Sequence, residues 1–193
     1  MSLPASTLLE RLISTAELLS REEILSRPCP VPPSPGIYGV FLDPAPAAVP
    51  VGGCARRGSW RLLYMGIAPS RPYTKSHLRT RLKSHLRGNA SGSTLRLTLG
   101  CLLSEELGIR LGPTGKTRRL TFGAGEQGLS AWLQRCARVA WVTLDEPWNV
   151  ERQLVQGVDL PLNLEFNQDH PFHTTLREVR ARARHQARSQ GER

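Results

Sequence analysis

The segment PCPVPPSPG, residues 28–36, limits this chain more than any other stretch. Successive prolines fix φ, remove amide donors and hold the backbone extended, so no helix or central strand can run through them. They set an N-terminal helical arm and linker, residues 1–34, apart from a main domain that starts at residue 35. Within the arm, Thr7 and Glu10 have capping-box spacing, and Leu8, Leu12 and Leu19 recur as one helix face would. A second short helix is expected from Ser20 to Ser26. After the prolines comes GIYGVFL, a short buried strand that places Tyr38 between Gly36 and Gly39. Glycine leaves nothing to pack in a strand and often marks close approach by a ligand or backbone, although a bulge or tight corner would look the same.

At 193 residues the chain can bury one good core and is too short for two full domains. Its 26 Lys and Arg against 16 Asp and Glu give a net charge of +10, which favours a polyanionic partner, nucleic acid first and acidic membrane surfaces second. No apolar run approaches the roughly 18 residues of a membrane helix, so no membrane partner is expected and the chain reads as cytoplasmic. Cys29, Cys54, Cys101 and Cys136 form no CxxC pair and are expected as free thiols.

Residues 43–59, rich in Pro and Gly, read as a loop that is disordered or functional, with disorder expected. WRLLYMGIA, residues 60–68, alternates as a second strand, with Tyr64 facing away from Met65 as Tyr38 faces away from Ile37 and Phe41. SHLRTRLKSHLRG reads as a helix: Leu78, Leu82 and Leu86 form its core stripe, and Gly88 suits its C-terminus. Beside that stripe run His77, Arg81 and His85. Residues 93–107 look helical, 137–144 look like a third strand, and Pro147 stands where a helix can begin. A basic helix closes the chain over residues 168–193; there Arg177, Arg180, Arg184 and Arg188 flank a thin stripe of Leu176, Val179, Ala183 and Ala187, an arrangement that would dock the stripe and turn the arginines to a phosphate backbone.

GPTGKT, residues 112–117, looks like the end of a phosphate-binding P-loop. The pattern needs glycine at position 110, where Arg110 stands, and a strand-like run, RRLTF, follows where a helix should. A turn is expected instead, and no nucleotide cofactor.

With GIY in the first strand and YMG in the second, Tyr38 and Tyr64 would share one face of a hairpin, and the chain resembles the GIY-YIG nuclease family. Arg81 and His85 in RLKSH, Glu151 in PWNVERQL and Asn163 twelve residues later extend the likeness over residues 35–167, and look most like its restriction-endonuclease branch. Met65 stands where the family has isoleucine, on the core face.

The resemblance implies an α+β fold, a small, mainly antiparallel three-stranded sheet flanked by helices, and metal-dependent hydrolysis of DNA. Glu151 would hold one Mg2+ (or Mn2+), Arg81 would grip the scissile phosphate, and Tyr38 would act as general base. Tyr64 would orient water or a phosphate oxygen, Asn163 would hold the site together, and His77 would be a bystander or phosphate contact. A free phenol has a pKa near 10, so ionisation at pH 7 needs about 4 kcal/mol; a relay in which His85 accepts the proton through Tyr38 lowers that demand. A nucleic-acid-binding protein that kept the fold and lost turnover is the alternative. A monomer that nicks and a homodimer that cuts both strands both fit.

Overall fold

The computed structural model describes residues 4–114 and 119–190. Helix α1 (Ala5–Glu10) runs into one π turn, Arg11–Thr15, followed by β1 (Leu19–Ser20) and α2 (Arg21–Leu25). After the prolines come β2 (Gly36–Leu42), β3 (Arg56–Arg57) and β4 (Trp60–Ala68), then α3 (Leu78–Arg87) and α4 (Thr94–Leu102). The hairpin β5 (Gly112–Thr114) and β6 (Arg119–Thr121) leads to α5 (Gly125–Cys136) and β7 (Ala137–Thr143). A 3-10 turn, Pro147–Asn149, opens α6 (Glu151–Gln156), and α7 (His173–Gln190) closes the described chain.

The α+β class holds, but the main sheet has five antiparallel strands in the order β1-β7-β2-β4-β3, not three. The three long strands form its centre as expected. The added edge strands, β1 on β7 and β3 on β4, have two residues each, too few to carry a period-2 signal. β5 and β6 form a separate two-stranded ribbon. GPTGKT is therefore no strand-to-helix phosphate loop: its first three residues are β5, and Gly115, Lys116 and Thr117 lie outside the described residues.

Alternation along β2 divides the interior. Ile37 and Phe41 face one core with Met65, Leu8, Leu12 and Leu154, whereas Tyr38, Val40 and Leu42 face the other with Leu78, Leu82, Leu95, Leu133 and Leu176. Helices α1 and α6 thus cover one face of the sheet, and α3, α4, α5 and α7 the other. Residues 43–59, expected as disordered, are anchored: Val49 and Cys54 are buried and Asp43 N donates to Cys136 O. The expected cap at Thr7 is absent, and a capping box forms instead at Ser20 and Glu23. Gly88 does end α3, at a φ of −73°, and a Cβ there would collide with Ser84 O.

All four cysteines are free, and burial pushes the thiols of Cys54 and Cys101 up to about 12 and about 11. Among the described residues no helix is long and apolar enough to cross a membrane.

Candidate active site

Register explains the glycines. Tyr38 pairs with Gly66 across the β2–β4 ladder, and a Cβ on Gly66 would collide with the Tyr38 hydroxyl. Gly66 is therefore the residue that makes room for the phenol. Gly36 admits Val142 O and Leu78, and Gly39, on the opposite face, admits Leu62 and Leu12, so those two serve close packing.

Tyr38, fully buried on β2, sits over α3, whose i, i+4 spacing brings Arg81 and His85 to it. Tyr38 Oη lies 2.6 Å from His85 Nε2, and Arg81 Nε donates to the same oxygen at 3.4 Å. Tyr64 joins them diagonally on β4, its ring centroid 6.3 Å from Tyr38 and 6.0 Å from His85. His77 caps α3: its Nδ1 accepts from Thr80 N, and its own N donates to Thr80 Oγ1.

Behind His85 a network runs inward. His85 Nδ1 lies 2.6 Å from Ser93 Oγ, which caps α4 by accepting from Arg96 N. Arg96 is fully buried, pairs with Glu126 Oε2 at 2.7 Å, and also donates to Glu126 O, Ser130 Oγ and His85 O. None of these partners was expected from the sequence.

In front of Tyr38 opens a pocket lined by Tyr64, Arg81, Thr98, Glu151, Glu165 and Arg180, among others. Its volume is about 410 Å³. Glu151 enters it from the first turn of α6. Asn163 braces its floor: Oδ1 accepts from Met65 N and Nδ2 donates to Met65 O, both at 2.9 Å, while Leu162 N donates to Leu63 O. The chain thereby covers the free edge of β4 where β3 has ended. Five of the six residues expected at the site line the pocket, and His85 stands behind Tyr38. The four arginines of α7 do not act as one set, because Arg180 lines this pocket while Arg177, Arg184 and Arg188 are exposed outside it.

Electrostatics in the pocket are under tension. Burial, reinforced by Tyr64 and opposed by Arg81, raises the Tyr38 pKa well above that of a free phenol. Burial, with Arg81 and Arg96 beside it, holds His85 well below the usual imidazole value, so the free protein carries a neutral pair. Burial and the neighbouring Glu165 push Glu151 up to about 7 against the pull of Arg81. A desolvated carboxylate beside a second carboxylate is a group that a cation would stabilise.

An antiparallel α+β domain that gathers two tyrosines, an arginine, a histidine and a glutamate around one polar pocket has the make-up of a catalytic domain. The family model of the GIY-YIG catalytic domain matches residues 42–182, and the chain belongs to this family, whose catalytic domain is a nuclease. The matched span holds Tyr64, Arg81, His85, Glu151, Asn163 and Arg180; Tyr38 lies four residues before it and enters the pocket by its place on β2. No curated protein and no solved structure matches the chain.

Proposed function

We propose that the protein is a divalent-metal-dependent endonuclease that hydrolyses DNA phosphodiester bonds. The observation that carries this reading is the 2.6 Å contact between Tyr38 Oη and His85 Nε2, beside a pocket that Arg81 and Glu151 also line. Hydrolysis needs a group to take a proton from water, positive charge for the phosphoryl oxygens and a carboxylate for a metal, and these residues supply all three. The net charge of +10 supports a polyanionic substrate. The Arg81-x-x-x-His85 spacing supports a likeness to the restriction branch.

In the reaction a water oxygen bonds to phosphorus, the bond from phosphorus to the leaving sugar oxygen breaks, and that oxygen takes a proton from solvent. Tyr38 accepts the water proton as its own passes to His85 Nε2, so no free phenolate has to form. Arg81 holds the non-bridging oxygens with its planar fork. The arriving phosphate also offsets the charge of Arg81, one of the causes that depress the basicity of His85. Tyr64 orients water or a phosphate oxygen, and Asn163 fixes β4 beneath them.

Glu151, with Glu165 beside it, would hold Mg2+ or Mn2+; magnesium takes few carboxylates and keeps several waters. Such an ion supplies charge to the phosphoryl and leaving oxygens.

Incubation of supercoiled plasmid with the protein tests the reading. Nicked or linear product with Mg2+ or Mn2+, and none with chelator, is expected. Binding without cleavage under every metal condition would contradict it and leave a nucleic-acid-binding protein of the same fold.

A further inference from the structure

Helix α7 treats its arginines unequally, and the cause is helical phase. Leu176, Val179, Ala183 and Ala187 pack against the core, and α7 contacts α4 and β5. Arg180 stands four residues after Leu176 and three before Ala183, so it lies on the docked face, whereas Arg177, Arg184 and Arg188 lie further round and are exposed. Docking carries Arg180 into the pocket beside Tyr64, Thr98 and Glu151.

Once there, its Nε is buried without a partner. Among the described residues, Arg180 Nε is the only buried side-chain nitrogen or oxygen without a hydrogen-bond partner, and Arg180 enters no ion pair. Arg96 shows what the same fold does with an arginine that serves structure: carboxylate, hydroxyl and carbonyl partners surround it. Native structures pair buried polar groups, and an exception that lines a pocket marks a donor free to meet what enters it. An anion with several oxygens fits such a pocket, because Arg81 lines it from α3 as Arg180 does from α7, and Tyr64 and Thr98 line it as well.

We propose that Arg180 is a substrate-binding residue of the pocket, gripping a phosphate of the bound strand opposite Arg81, so that α7 completes the active site. This rests on the nuclease reading for its substrate. It divides the basic helix into one arginine that works on the reacting strand and three that face outward. Truncating α7 cannot separate these roles, since it would also remove Arg180 and the buried Ala187.

The test uses the full chain carrying Arg180→Ala, Arg180→Lys, or Arg177→Ala, Arg184→Ala and Arg188→Ala together. Steady-state cleavage of a short duplex is measured in Mg2+, and duplex binding across salt is measured in the Glu151→Gln background. Arg180→Ala should lower kcat by about 10²-fold, the usual effect of removing one preorganised donor, with partial recovery in Arg180→Lys. The triple variant should act through KM and flatten the slope of log affinity against log salt by up to about 2.7, at roughly 0.9 per phosphate contact. A kcat for Arg180→Ala equal to wild type would overturn the proposal. If wild type cuts nothing, the nuclease reading falls, and Arg180 is judged by binding of a thymidine dinucleotide and of inorganic phosphate. About tenfold weaker dinucleotide binding by Arg180→Ala than by wild type would uphold a phosphodiester site; equal binding, or a loss seen only with inorganic phosphate, would overturn it.

Discussion

The wall behind His85 and the pocket in front of Tyr38 each withdraw an arginine from water, on opposite terms. Behind, Arg96 is fully buried and meets Glu126, Ser130 and a carbonyl of α3. In front, Arg180 has an unpartnered Nε, Glu151 sits beside Glu165 with its pKa pushed up to about 7 against the pull of Arg81, and Arg81 leans on the oxygens of Tyr38 and Tyr64 to offset the cost of its burial. One side is complete without a ligand and the other is not. The Tyr38–His85 pair lies on the boundary, fixed from behind by Ser93 and open to the pocket ahead. Closed networks hold geometry; open charges bind what arrives.

The largest effect should come from breaking the closed side. Glu126→Ala strands Arg96 in the core and should cost about 3–5 kcal/mol in urea unfolding. Arg180→Met, which removes an unpaired cation, should leave stability within about 0.5 kcal/mol of wild type or raise it. Similar losses in both variants would dissolve the contrast.

Next comes the boundary. Tyr38→Phe should slow cleavage by about 10²–10⁴-fold, the range of general acid–base catalysis. His85→Ala should recover part of its loss as pH rises, because hydroxide replaces the missing proton acceptor. A pH profile for His85→Ala parallel to that of wild type would remove His85 from proton handling and leave it as packing.

The open side and the closed side were unequally legible in the sequence. Strand alternation put Tyr38 and Tyr64 on one face and the i, i+4 step of α3 put Arg81 beside His85, whereas the meeting of these residues with Glu151 and Asn163 was implied by the family resemblance alone. Glu126, Ser93 and Arg180 could not be read, because their roles depend on contacts between elements distant in the chain. Helix α5, which carries Glu126, did leave a trace in the spacing of Leu129, Trp132, Leu133 and Cys136, all buried. The phase of α7 was readable as an apolar stripe, but Arg180 counts as a pocket residue only once the stripe is docked on α4. Prolines and glycines in residues 43–59 signalled irregular backbone correctly and concealed the anchoring of Val49 and Cys54, which requires the folded core.

The smallest effect concerns Glu151 without metal. Its folded pKa of about 7 lies above the ordinary carboxyl value of 4.5, so the fold favours the neutral acid. The contribution of Glu151 to stability is therefore fully present below about pH 4.5 and is lost as pH rises through about 7. Thermal melts should show Glu151→Gln gaining on wild type across that window, and Mg2+ should close the gap by stabilising wild type alone. A gap that is flat with pH would mean that Glu151 is not desolvated as described.

If the pocket cuts DNA with a metal held by Glu151, then Glu151→Gln separates cutting from binding. Cleavage of supercoiled plasmid and binding of a DNA duplex should be measured on the same preparation across a Mg2+ titration. The variant is expected to bind duplex as wild type does and to leave plasmid uncut at every concentration. Cleavage by Glu151→Gln at the wild-type rate would mean that the protein cuts without a metal held at Glu151.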